Sequence, residues 1–157
     1  MSGSALPSGA TSAFEASMRS LLGRELPPGE DAPGLARRAL HDLPRRFWSL
    51  LPNLELLVSE LVTNSVTHGE LLPSDHIGLD VQDGGTYLRV EVLDPGRGYD
   101  GAQAGWRRVA DDEGADPRDP HGHGLRIMQE VADRAGVHWD MGTVGWFEVA
   151  VGSGTAA

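Results

Sequence analysis

Between residues 53 and 69 the chain reads NLELLVSELVTNSVTHG, and Leu54, Leu57, Val58, Leu61, Val62 and Val66 recur at helical spacing. The pattern predicts a helix with Asn53 as its N-cap and Gly69 as its left-handed C-terminal residue. Glu60, Asn64 and His68 lie four apart and form a polar column beside the apolar stripe, not opposite it. A carboxylate, an amide and an imidazole at the rim of a buried face suggest the wall of a cleft. The plainer alternative is an amphipathic helix with three polar side chains at its edge.

Elsewhere the period changes. Ile77, Leu79 and Val81 alternate with polar residues, as do Leu88, Val90 and Val92, with Asp83-Gly84-Gly85 between them. This predicts a β-hairpin with one buried face. Residues 17–26 (SMRSLLGREL) read as a short edge strand with Met18, Leu21 and Leu22 near the core, although the alternation is poor. After the Pro27-Pro28-Gly29 turn, Asp31 can cap a first helix through LARRALHDL, with Pro33 in its first turn. Pro44 interrupts, and RRFWSLL continues as a short helical or looped segment. GHGLRIMQEVADRAG reads as a second amphipathic helix, with Leu125, Met128, Val131 and Ala132 on one face and Gly136 at its end. VHWDM and GWFEVAV form a closing strand pair around Gly142. Residues 1–16 read as a disordered tail and 153–157 as a flexible one, leaving a single domain over 17–152. The expected class is α+β: helices on one face of a mixed, mostly antiparallel sheet, a two-layer sandwich.

Composition narrows the function. The formal net charge is −10, which argues against nucleic acid as a partner, because phosphate binding needs a basic face. There are no cysteines, so disulfides, thiolate metal sites and cysteine nucleophiles are excluded, and a cytoplasmic location is expected. No apolar run approaches the roughly 20 residues of a membrane span, and no signal peptide is visible. One connection stands out. Residues 99–121 hold Gly, Asp and Pro throughout, with no sustained period. Such a long connection in a small domain is uncommon and is usually functional.

Two further motifs flank that connection. Asp94-Pro95-Gly96-Arg97-Gly98 follows a strand with alternate residues buried. A carboxylate held partly inside needs a hydrogen-bond partner, and the exocyclic amine of an amino-purine is one; the glycines let a ligand come close. A simple Asp-Pro-Gly turn is the alternative. Gly122-His123-Gly124-Leu125 precedes a helix, where exposed N–H groups and the helix dipole can meet an anion. A loop needing flexibility before a helix is the alternative there. His121 and His123 have neither a third ligand nearby nor any cysteine to join them, which argues against a metal site.

The order E-x-x-x-N-x-x-x-H on a helix, D-x-G-x-G after a strand, a long loop, then G-x-G-L opening a helix resembles the boxes of the GHKL superfamily of ATPases and kinases, which includes gyrase and the histidine kinases. VSELVTNSVTHG and the ending GWFEVAV are most similar to its RsbW-like branch, the small anti-sigma regulatory factors with serine-protein-kinase activity. The resemblance spans roughly residues 18–151. It implies a Bergerat-type ATP site with Mg²⁺. Asn64 corresponds to the metal ligand, Asp94 to the acceptor of the adenine amine, and Glu60 to the general base. Gly96 and Gly98 permit close approach of the nucleotide; Gly122, His123, Gly124 and Leu125 meet the phosphates; residues 99–121 are the ATP lid. His68 and Thr143 complete the implied nucleotide site. The implied activity is that of a serine/threonine protein kinase and anti-sigma factor. Its implied partners are a sigma factor and a STAS-domain anti-sigma-factor antagonist, with a homodimer possible. MGTVGW keeps Thr143 but lacks the lysine often found there, which leaves open a nucleotide-dependent binding module with little phosphotransfer.

Overall fold

The computed structural model describes residues 18–96, 127–128, 130–139 and 141–152. The tails, residues 99–121, Gly98, Gly122, His123, Gly124 and Leu125 lie outside them. The elements are β1 (Arg19–Leu26), α1 (Ala32–Leu40), a 3-10 helix (Arg45–Leu50), α2 (Leu51–His68), β2 (Ile77–Asp83), β3 (Tyr87–Asp94), β4 (Arg134–Trp139) and β5 (Thr143–Ala150). Ile127, Met128, Glu130 and Val131 are helical. The strands form one sheet in the order β1-β2-β3-β5-β4. Every one of these pairings is antiparallel, so the sheet is not mixed as expected. The helices cover one face, giving the expected α+β sandwich.

The hairpin obeys its alternation. Ile77, Leu79, Val81, Leu88, Val90 and Val92 are all buried, pairing across the strands Leu79 to Val92 and Val81 to Val90. α2 lies against them with Leu54, Leu57, Val58, Leu61 and Val62. Gly145 on β5 leaves room for Leu61: an added Cβ would stand 2.9 Å from Leu61 Cδ2. Phe147, fully buried, joins the same core, while its neighbour Trp146 points to the other face. There the Arg89 guanidinium lies 4.1 Å from the Trp146 ring centroid and bonds Glu148 Oε1 at 2.9 Å.

Several boundaries differ from the sequence expectation. α2 begins at Leu51, so Asn53 is inside the helix and caps nothing. Pro52 marks the start: in the first turn its missing N–H costs no bond. At the other end Gly69 has a right-handed φ of −73°, and Glu70 takes the left-handed position at 50°. Asp31 precedes α1, but its side chain makes no capping bond, because its backbone is already helical. The poor alternation of β1 is a register shift between Ser20 and Leu22, which leaves Leu22 buried and Leu21 half-buried. Gly136 does not end a helix. The chain leaves the helix earlier, Asp133 N–H donates to the Glu148 carbonyl at 3.0 Å, and Gly136 lies within β4. Its missing side chain leaves space for the Trp146 ring.

Phe147→Ala should destabilise the domain by about 3–5 kcal/mol, the usual cost of emptying a buried aromatic site. Met141→Ala, at a position 91% exposed, should stay within about 0.5 kcal/mol. Urea unfolding of both variants checks the contrast.

Candidate functional site

α2 presents Glu60, Asn64 and His68 along one edge, all half-buried, as the helical wheel requires of residues beside an apolar stripe. From the helical rise, Glu60 and Asn64 stand about 6 Å apart along the axis. Glu60 and Asn64 make no side-chain hydrogen bond among the described residues; His68 is engaged. Among the described residues no three acidic or histidine side chains converge into a metal site. A single amide oxygen such as that of Asn64 fits an ion that takes most of its ligands from water and phosphate, as Mg²⁺ does.

The C-terminal end of α2 meets the C-terminal end of β3. Asp94, the last residue of β3, is 4% exposed. Its Oδ1 accepts the Gly96 N–H at 2.7 Å, so the DPG turn folds back on the carboxylate. Burial raises the Asp94 pKa above its ordinary 3.8; the Gly96 N–H and the Ser65 hydroxyl oppose this, and the nearby Asp75 charge adds to it. Gly69 is packed so closely that an added Cβ would collide with both Asp94 carboxylate oxygens and with the Ser65 carbonyl. A Cβ on Gly96 would in turn collide with the Gly69 carbonyl. Two bare backbones thus hold the helix end, the strand end and the carboxylate together.

Directly across the sheet from Asp94 is Thr143, the first residue of β5. It is 2% exposed, and its Oγ1 has no hydrogen-bond partner among the described residues. The turn before it depends on Gly142, whose φ of 149° and whose approach to the Asp94 carbonyl exclude a side chain. A buried hydroxyl without a partner costs free energy, and so does a buried carboxylate. Side by side, they offer an acceptor and a donor to a flat heterocycle edge. The donor set fits an aminopurine: the amine to Asp94 and a ring nitrogen to Thr143.

The structure thus brings together Asp94, Gly96 and Thr143, and sets Glu60, Asn64 and His68 along the helix leading to them. Two residues at this site escaped the sequence reading. Ser65, 7% exposed, sits four residues after Leu61, inside the apolar stripe; its Oγ also lies 3.2 Å from the Leu61 carbonyl. A small polar residue in a buried stripe was the available signal. Gly69 stands where a helix stop is expected, yet its role is to leave room for Asp94.

Thr143→Val removes the orphaned hydroxyl with little change of shape and should stabilise the free protein by about 1–3 kcal/mol, seen as a higher thermal midpoint. Asp94 makes a pH-dependent contribution. With its folded-state pKa raised, the folded chain holds this proton more tightly, so the stabilisation is present below about pH 3.8 and is lost as pH rises through the folded pKa. The stability of the wild type relative to Asp94→Asn should therefore fall as pH rises above that value, measured by urea unfolding between pH 3.5 and 7.

No curated protein matches the chain. The family model described as the histidine kinase-like ATPase domain matches residues 30–145, from the turn before α1 to the middle of β5. That span takes in α2, Asp94 and Thr143. The chain belongs to the histidine kinase-like ATPase domain family.

Proposed function

We propose that the chain binds Mg-ATP and acts as a serine/threonine protein kinase and anti-sigma factor, with a STAS-domain anti-sigma-factor antagonist as phosphoacceptor. The observation that carries the nucleotide reading is the buried cross-strand pair of Asp94 and Thr143: the bare backbones of Gly69 and Gly96 close on the carboxylate, and the Thr143 hydroxyl has no partner among the described residues. The ionised carboxylate takes the adenine amine, and the hydroxyl donates to the ring. Asn64, one residue before Ser65, holds the metal from the same helix.

When bound, Mg²⁺ neutralises charge on the phosphate oxygens. Glu60, one helical turn before Asn64, accepts the proton of the acceptor hydroxyl as the hydroxyl oxygen bonds to the γ-phosphorus and the bond to the ADP oxygen breaks. Phosphoryl transfer asks mainly for such positioning and neutralisation. The kinase and partner assignments are supported by the resemblance of VSELVTNSVTHG and GWFEVAV to the RsbW-like branch.

Labelled ATP, candidate STAS proteins and three variants test the reading. Asp94→Asn should weaken ATP by about 1.5–3 kcal/mol in calorimetry, the scale of a hydrogen bond to a charged group. Asn64→Ala should impair both affinity and transfer. Glu60→Gln should spare affinity and slow transfer by roughly 10²–10⁴-fold. Transfer at the wild-type rate by Glu60→Gln removes Glu60 as the base. ATP binding by the wild type without transfer to any STAS partner leaves a nucleotide-dependent binding module.

A further inference from the structure

The cations of this acidic chain are unevenly placed. All 13 basic residues are arginines. Residues 32–50 hold four of them, Arg37, Arg38, Arg45 and Arg46, against one acid, Asp42. All four arginines are exposed. Several of the nearby acids are already paired. Asp42 pairs with Arg24 at 2.7 Å, and Glu55 Oε1 meets His41 Nε2 at 2.6 Å. Arg46 pairs with Asp83 at 3.0 Å. Arg37, Arg38 and Arg45 have no acidic partner among the described residues: Arg37 donates to the Ser59 hydroxyl at 2.9 Å, and Arg45 lies 5.2 Å from the Trp48 ring centroid.

Large apolar side chains are exposed beside these arginines. Trp48 is 44% exposed, and its Nε1–H is held by the Leu43 carbonyl at 3.0 Å. Leu56 is 40% exposed and shares its helix face with Ser59, three residues on, where Arg37 is anchored. α2 follows the 3-10 helix with no intervening residue. Trp and Arg are among the residue types enriched at the hot spots of protein interfaces.

We propose that this outward face, formed by α1, the 3-10 helix and the first half of α2, docks a partner protein segment that is acidic and carries apolar side chains for Trp48 and Leu56. Carboxylates of the partner meet Arg37, Arg38 and Arg45, the cations without an acidic partner among the described residues. A nucleic acid suits the face less well, because a polyanion extends past the patch onto a chain whose remaining charge is strongly negative. The face is separate from Asp94 and Thr143, so the inference does not depend on the nucleotide reading.

The test uses the full chain and two fluorescent synthetic helices of about 18 residues, leucine on one face and either glutamate or lysine on the other. The overall charge of −10 favours the lysine helix; the patch favours the glutamate helix. Fluorescence anisotropy should show the glutamate helix binding at least about ten-fold more tightly, a difference of about 1.4 kcal/mol. Arg37→Glu with Arg45→Glu should abolish the preference, and Leu56→Asp should weaken the glutamate helix without reversing it. Circular dichroism should be unchanged, since all three positions are at the surface. Equal or tighter binding of the lysine helix, no binding of either helix, or indifference to these substitutions overturns the proposal. Tighter binding of an oligothymidine than of the glutamate helix overturns it in favour of a nucleic-acid surface.

Discussion

The buried Asp94 carboxylate is the constraint around which this site is built. It sits where three pieces of backbone meet: the end of α2, the end of β3 and the turn entering β5. Each piece comes close only because it lacks a side chain, at Gly69, Gly96 and Gly142. The contacts compensate the carboxylate only in part. One N–H and one hydroxyl face it, while burial and Asp75 oppose its charge. The Thr143 hydroxyl alongside has no partner among the described residues. Polar groups kept underpaired in a tight interior cost stability, and such costs persist where a ligand supplies what the fold withholds.

The hydrophobic layer makes that placement possible. α2 lies on the centre of the sheet through Leu54, Leu57, Leu61 and their neighbours, against Val90, Val92 and Phe147. Because Leu61 fits over Gly145, the helix has little freedom to slide along β5. The same rotation of α2 that buries the stripe puts Glu60, Asn64 and His68 at its edge and turns Leu56 and Ser59 outward. One helix thus serves the core, the candidate nucleotide site and the basic outer face.

Most of the architecture was legible because it rests on period. The hairpin over Ile77–Asp83 and Tyr87–Asp94 follows from strict alternation, and α2 from its stripe. Reading failed where a local signal had two physical meanings. Gly69 after a helix looks like a conformational stop, yet here it is a steric gap. Gly136 looked like a helix end, yet it leaves space for Trp146 within a strand. The Ser65 hydroxyl, lying in an apolar stripe, meets the Asp94 carboxylate only once helix and strand pack together.

The sequence by itself determined the elements, the buried faces and the order of the polar motifs, because these depend on spacing along one chain. It also carried the resemblance that the family match supports at the level of the histidine kinase-like ATPase domain. Only the tertiary structure decided that Asp94 faces Thr143 across the β3–β5 pair, that Gly69 and Gly96 close on each other, and that Asp42 and Glu55 are occupied while Arg37, Arg38 and Arg45 lack acidic partners among the described residues. Each of these is a contact between residues far apart in sequence, set by strand register and by how the helices settle on the sheet. Periodicity shows which face of an element is buried; which atoms meet there depends on the fit between elements.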